Sequence, residues 1–99
     1  MQLEEYAEKF IEDTVRNHKV VIFSWTYPQG YQARDLLTQI RVDFFEVEIS
    51  REEHGSAIDH YLSIKTGQYT DPKIYIKGQF IGGFDELDHF CRSGGFDNF

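Results

Sequence analysis

The chain has 99 residues, enough for one small domain, and we predict that residues 1–99 form a single domain around one core. Apolar residues make up 40% of the composition and aromatic residues 16%, which excludes a disordered acidic tail. The net charge of −7 argues against nucleic acid or an anionic membrane as a partner.

Helical periodicity and short apolar runs alternate along the chain. They predict a helix over 3–16, a strand over 20–24, a helix over 33–40, a strand over 45–49, a helix around 57–62 with Ser56 as a candidate N-cap, a strand over 74–76, a strand at 80–81 and a last helix from about 85. A strand–helix–strand unit requires a right-handed parallel crossover, whereas the Lys77-Gly78 turn requires an antiparallel hairpin. The predicted fold is therefore α/β, with a mixed four-stranded sheet covered by helices on both faces.

Sulfur and metal chemistry have few candidates in the sequence. Cys91 is the only cysteine, so an internal disulfide, a CxxC pair and a multi-cysteine zinc site are all excluded. The four histidines are not spaced as metal ligands, and we predict no metal site. The segment MQLEEYAEKF has neither the basic start nor the apolar stretch of a secretory signal, and we predict a cytoplasmic location.

Four segments, taken in order, resemble the glutaredoxin family, whose members have the thioredoxin fold and use glutathione. They are VVIFS with the turn and helix that follow, Gly55 with Ile58 and Leu62, TGQYTDP at 66–72, and KIYIKGQFIGGFDEL at 73–87. The third resembles the family's TGQxTVP, in which the proline is cis. This similarity covers nearly the whole chain and implies the same fold as the element order.

The resemblance also implies a reactive turn after the first strand, where the family has CPYC or CxxS. This chain has no cysteine there. One register places the family's two cysteine positions at Pro28 and Tyr31, and the other places them at Tyr27 and Gly30. Since thiol–disulfide exchange needs a thiolate, we expect no catalytic residue in the former active-site turn, which comprises Tyr27, Pro28, Gln29, Gly30 and Tyr31. An iron–sulfur cluster, which the family ligates through the active-site cysteine, is not expected either.

The same resemblance implies half of a glutathione site. Trp25 and Tyr69 stand where the family has cations for the glycyl carboxylate, and Asp71 replaces the valine before the proline. Residues at the other positions match the family: Gln68, Thr70, Pro72, Gly82, Gly83 and Asp85. Losing two charge-assisted bonds weakens binding about a hundredfold or more, and Asp71 is expected to repel an anionic ligand. We expect no cofactor, or glutathione held weakly; Arg34 or Lys77 could compensate if either lies nearby. The alternative to a ligand-binding role for Asp85 is that it caps the N-terminus of the last helix.

Exposed aromatic residues are expected to gather around the former site. Trp25, Tyr27, Tyr31 and Tyr69 are expected to cluster there with Phe84 nearby, either to contact a partner or to fill vacated space. From these features we expect a redox-inactive interaction or regulatory module rather than an enzyme, with a protein partner or a fused domain in a longer chain. The alternative is a glutathione-binding or glutathione transferase-like protein that uses a tyrosine hydroxyl.

Overall fold

The computed structural model describes residues 2–99 as a four-stranded sheet between two pairs of helices. Two short 3₁₀ turns, at Tyr27–Gly30 and Ile49–Arg51, interrupt the sequence of regular elements. The regular elements are α1 (Leu3–Asn17), β1 (Val20–Ser24), α2 (Tyr31–Gln39), β2 (Phe45–Glu48), α3 (Gly55–Thr66), β3 (Lys73–Ile76), β4 (Gln79–Gly82) and α4 (Phe84–Arg92).

The strands lie in the order β2-β1-β3-β4. β1 pairs with β2 in parallel, whereas β1 with β3 and β3 with β4 are antiparallel. Lys77 and Gly78 both have positive φ, at 50° and 81°, and form the tight turn between β3 and β4. The predicted mixed sheet with helices on both faces is confirmed.

Each face of the sheet has its own apolar layer, because side chains along β1 and β3 alternate between the two faces. On one face α1 and α3 pack on the sheet through Ala7, Ile11, Val21, Phe23, Val47, Ile49, Ile58, Leu62 and Tyr75. On the other face α2 and α4 pack through Val20, Ile22, Ala33, Leu37, Ile74, Ile76 and Leu87. All five residues of β1 are buried, as its continuous apolar run predicts.

Two helix starts differ from the prediction. α3 begins at Gly55, where a Cβ would overlap the carbonyl of Ile49, so Ser56 lies inside the helix and does not cap it. α4 begins at Phe84, with Gly83 as its N-cap, and the Glu86 carboxylate accepts the Gly83 N–H at 2.7 Å. Asp85 is therefore the second helical residue rather than the cap, and its charge faces the positive end of the helix dipole.

No helix within residues 2–99 is both long enough and apolar enough to cross a membrane.

Candidate functional site

The candidate site lies where the carboxyl end of β1 meets the amino end of β3. Here three consecutive backbone N–H groups, of Trp25, Thr26 and Tyr27, each donate to a side-chain oxygen. The acceptors are Asp71 Oδ2 at 2.9 Å, Gln29 Oε1 at 2.9 Å and Glu48 Oε2 at 2.7 Å, respectively. Amides at such a turn can bind an anion, and in this chain its own side chains occupy them.

A buried ion pair stands behind the turn. Lys73 Nζ donates to Asp71 Oδ1 at 2.8 Å, and the two side chains are only 1% and 9% exposed. The carboxylate of Asp71 is thus bonded to both Lys73 and the Trp25 amide. The expectation that Asp71 repels an anionic ligand is corrected, because Lys73 balances its charge.

A second ion pair fixes the turn from β2 and α2. The guanidinium of Arg34 makes two 2.8 Å bonds to the Glu46 carboxylate and a 2.7 Å bond to the carbonyl of Tyr27. It also lies 3.6 Å from the centre of the Tyr27 ring. The hydrogen bonds to Glu46 raise the pKa of Arg34 above its usual value. The Arg34 guanidinium is therefore occupied by bonds within the protein and is not free to bind an anionic ligand.

Gly30 is required by this ion pair. A Cβ on Gly30 would lie 2.9 Å from Glu46 Oε2 and 3.0 Å from Ser24 Oγ, both too close. Any side chain at this position would push against the Arg34–Glu46 pair. Gly30 thus has a packing role within the turn.

Two grooves open beside the turn. The first, the α4 groove, has a volume of about 260 Å³ and is lined by Gln29, Gln32, Gln68, Thr70, Asp71, Pro72, Gly83, Phe84, Asp85 and Glu86. The Gln68 amide donates to the carbonyls of Thr70 and Pro72, at 3.0 and 3.1 Å, and so shapes one wall. Amides, not cations, are the donors that this groove offers.

The second, the α3 groove, has a volume of about 390 Å³ and is lined by Trp25, Ser56, Asp59, His60, Ser63 and Tyr69. Trp25 and Tyr69 are 36% and 74% exposed. The Trp25–Asp71 hydrogen bond connects this groove to the α4 groove.

The main chain between the grooves has unused hydrogen-bonding capacity. The Asp71-Pro72 peptide bond is cis, as the resemblance implies. Neither the N–H nor the C=O of Asp71 bonds to another group within residues 2–99. An extended peptide ligand could therefore pair with Asp71 as one strand pairs with another.

The predicted glycine positions have backbone roles. Gly82 has a φ of 119°, and a Cβ there would lie 2.6 Å from Glu86. At Gly83 a Cβ would lie 3.4 Å from the Pro72 carbonyl and would narrow the α4 groove.

The structure divides the predicted aromatic cluster. Trp25 and Tyr69 share the α3 groove, Phe84 lines the α4 groove, and Tyr27 packs on Arg34. Tyr31, at the start of α2, is 55% exposed. No ring–ring contact joins these residues in the described part of the chain, so they do not fill the site by packing on each other.

Two other predicted candidates lie outside the site. Cys91 is half-buried in α4 and lines neither groove. Lys77 follows β3, at the opposite end of the sheet, and cannot compensate for a missing cation. Within residues 2–99 no three histidine, cysteine, aspartate or glutamate side chains come together as a metal site.

Several groove residues were missed from the sequence, although their spacing offered a signal. Ser56, Asp59, His60 and Ser63 follow an i, i+3, i+4, i+7 pattern, a polar stripe along α3. Gln29 and Gln32 are three residues apart and face the same groove. The prediction followed the apolar periodicity of these helices and so did not identify their polar stripes; of the residues in these stripes it placed only Gln29 in the site.

Comparisons with known proteins agree with this geometry. The family model described as Glutaredoxin matches residues 20–81. The chain belongs to the glutaredoxin family. It is 36% identical to Glutaredoxin-2 of Schizosaccharomyces pombe over 89 residues, covering 89% of this chain and 81% of that protein. It is 37% identical to Glutaredoxin-C2 of Arabidopsis thaliana over 84 residues, covering 84% of this chain and 76% of that protein.

A solved structure extends the similarity to three dimensions. The buckwheat glutaredoxin–glutathione complex superposes with a TM-score of 0.86 at 30% identity, covering 93% of this chain and 84% of that one. The predicted family and the thioredoxin fold are both confirmed.

These relatives correct the functional prediction. Glutaredoxins are thiol–disulfide oxidoreductases, so the chain belongs to an enzyme family, and the prediction of a redox-inactive interaction module was wrong. The transferase-like alternative finds no support among these relatives either. The functional prediction rested on the absence of a cysteine from the 27–31 turn.

The α3 groove gives a pH-dependent prediction at Asp59. Burial raises the pKa of the Asp59 carboxyl; the positive charge of Lys73 opposes this shift and the negative charge of Asp71 reinforces it. A folded-state pKa above the unfolded value favours folding at low pH, and this contribution is lost as the pH rises through the folded-state pKa. Asp59→Asn should therefore stabilise the protein at neutral pH.

The measurement is urea unfolding of the wild type and Asp59→Asn at about pH 7 and about pH 3, below the usual aspartate pKa. The stability difference should shrink towards zero at the lower pH. Asp43→Asn, at an exposed position of the loop before β2, is the control for loss of one negative charge. A difference that grows on acidification would contradict the assignment.

Proposed function

We propose that this chain is a glutathione-dependent member of the glutaredoxin family that promotes thiol–disulfide exchange with a sulfur supplied by glutathione. The observation that carries the proposal is the unpaired main chain of Asp71, which lies beside the cis bond to Pro72 and borders the α4 groove. The relatives are named as glutaredoxins, and one superposed structure is a glutaredoxin–glutathione complex.

The groove residues fit glutathione in a stated orientation. The N–H and C=O of Asp71 would pair with the central cysteinyl unit. The γ-glutamyl end carries one ammonium and one carboxylate. Its carboxylate would meet the positive end of α4 at Phe84, and its ammonium would meet the Asp85 carboxylate. The glycyl end would lie towards the α3 groove, where Trp25 and Tyr69 offer surface but no fixed charge.

Glutathione is expected to bind weakly, because within residues 2–99 no cation near the two grooves is free to pair with its carboxylates. Lys73 and Arg34 are already bonded to Asp71 and Glu46, and Glu86 occupies the Gly83 amide. Neutral amides from Gln32 and Gln68 replace charge-assisted donors. We expect a dissociation constant of the order of 1 mM.

The chemistry uses the thiolate of glutathione as the nucleophile. It attacks the glutathione sulfur of a mixed disulfide between glutathione and a substrate thiol. A new S–S bond forms in oxidised glutathione, the old S–S bond breaks, and the substrate leaves as a thiolate that takes up a proton. The chain would hold the glutathione thiolate beside the 27–31 turn in an orientation that favours the attack.

Binding can be tested by an amide-shift titration with reduced glutathione. Saturating shifts are expected at Asp71, Gly83 and Asp85. Gln32→Ala should weaken binding about twofold to tenfold, the value of one hydrogen bond. Gln39→Ala, the same change at an exposed position of the same helix, should leave binding unchanged. Equal effects of the two variants would overturn the α4 groove as the binding site.

The redox step needs a separate assay. Reduction of a glutathionylated peptide by glutathione, coupled to glutathione reductase, should run above the uncatalysed rate in proportion to protein. Cys91→Ser should retain this rate, because Cys91 lies outside both grooves. Loss of the rate in Cys91→Ser would assign the sulfur to that residue instead. Saturable binding with no rate above the blank would overturn the redox step.

A further inference from the structure

A cluster of lysine and arginine side chains lies at the end of the sheet opposite the candidate site. Six of the ten lysine and arginine side chains are ion-paired with carboxylates, at 2.8–3.4 Å. Within residues 2–99, the four that are not paired are Lys19, Arg41, Lys65 and Lys77. All four line two adjacent cavities at the amino end of β1 and the carboxyl end of β3.

The larger of these, here called the basal cavity, has a volume of about 740 Å³. Its lining includes Ile11, Val15, Lys19, Lys65, Tyr75 and Lys77. Ile11 and Tyr75 are buried core residues, so they give the cavity an apolar floor, while the lysine side chains are exposed at its rim. Glu12 is its only carboxylate, and Arg16 is already paired with Asp13 at 3.4 Å.

Two of the lysines are held close together. The backbone N–H of Lys77 donates to the carbonyl of Lys19, which joins the β3–β4 turn to the start of β1 at 2.6 Å. The ammonium groups of Lys77 and Lys19 lie 4.7 Å and 5.6 Å, respectively, from the centre of the Phe99 ring, which lines the neighbouring cavity. Neither lysine is ion-paired with a carboxylate within residues 2–99, and a bound anion would supply the missing counter-charge.

The backbone also favours other residues at two of these positions. Lys77 has a φ of 50° and Arg41 a φ of 60°, a region that glycine and asparagine prefer. Asparagine is the usual first residue of a tight turn before glycine, and glycine is usual after a helix end. Cations stand at both positions despite that preference, so replacing Lys77 with asparagine would remove a charge without straining the turn.

We propose that the basal cavity binds a small organic anion with a phosphate-type dianionic group and an apolar or aromatic body. The lysines at the rim would hold the charged group, and Ile11, Val15 and Tyr75 would contact the body. Nucleic acid fits poorly, because the chain as a whole carries a net charge of −7 that repels an extended polyanion. The basal cavity is distinct from the α3 and α4 grooves, which lie at the other end of β1 and β3.

The test is an amide-shift titration of the whole chain with three probes: phenyl phosphate, inorganic phosphate and phenol. Saturating shifts are expected at Lys19, Lys77 and Gly78, with phenyl phosphate tightest because it also contacts the apolar floor. Phenol should give no saturation. Binding should weaken as salt is raised from about 50 to about 200 mM.

Two variants make the test specific. Lys77→Asn removes one cation and supplies the residue that the turn favours, so we expect weaker phenyl phosphate binding, by about fivefold, with an unchanged or higher Tm. Arg51→Gln, an exposed cation beyond the end of β2, is the matched control and should leave binding unchanged. Equal binding of phenol and phenyl phosphate, or equal effects of the two variants, would overturn the proposal.

Discussion

Replacing Asp71 with valine should lower the free energy of unfolding by about 3–5 kcal/mol, the cost of leaving one charge of a buried pair without its partner. Lys73 is 1% exposed and bonds to the Asp71 carboxylate at 2.8 Å. The substitution also removes the acceptor of the Trp25 N–H. For a domain of this size the loss corresponds to a fall in Tm of at least about 12 °C. Urea unfolding followed by tryptophan fluorescence would measure it.

The double variant Asp71→Val/Lys73→Met separates the charge from the packing. Apolar side chains in place of a buried ion pair are often neutral or stabilising, so the double variant should recover most of the lost stability. This comparison remains informative even if the single variant does not fold. A double variant no more stable than Asp71→Val would contradict the assigned ion pair.

Replacing Arg34 with methionine should lower the free energy of unfolding by about 3 kcal/mol. The side chains of Arg34 and Glu46 are 17% and 13% exposed, so Glu46 would stay largely buried with no counter-charge. The Tyr27 carbonyl would lose its donor, and the ring of Tyr27 would lose its contact with the guanidinium. Thermal unfolding of the two proteins would measure the change.

Arg34→Lys is the informative control for this prediction. It retains the charge but not the planar group that makes two bonds to Glu46 and stacks on Tyr27, so an intermediate loss is expected. If Arg34→Lys behaved like the wild type, charge alone would account for the pair. If Arg34→Met cost less than about 1 kcal/mol, the pair would be no stronger than one on the surface.

Much of the fold was predictable because its signals are local. The apolar run of β1, the helical stripe of α1 and the Lys77-Gly78 turn each depend on neighbouring residues. The predicted starts of the helices were less accurate. α3 begins at Gly55, because the carbonyl of Ile49 lies against this residue and leaves no room for a side chain. Capping patterns in the sequence do not predict this contact.

The candidate site was only partly predictable. Motifs such as TGQYTDP indicated the cis bond before Pro72 and the groove beside it. The groove lining from α3 was missed, although its polar stripe is visible in the sequence. The predicted functional class was wrong, because it rested on the residues of one turn, whereas the similarity to glutaredoxins extends over most of the chain.

By itself the sequence determined the element order, the family resemblance and the absence of a cysteine in the 27–31 turn. Only the tertiary structure decided which charges meet. Asp71 bonds to the amide of Trp25, 46 residues away, and Glu48 to that of Tyr27, 21 residues away. The four cations that are unpaired within residues 2–99 come together at one end of the sheet, which is likewise a result of folding. Local patterns depend on neighbours in the chain, whereas charge pairing and cavities depend on separations in space that only packing sets.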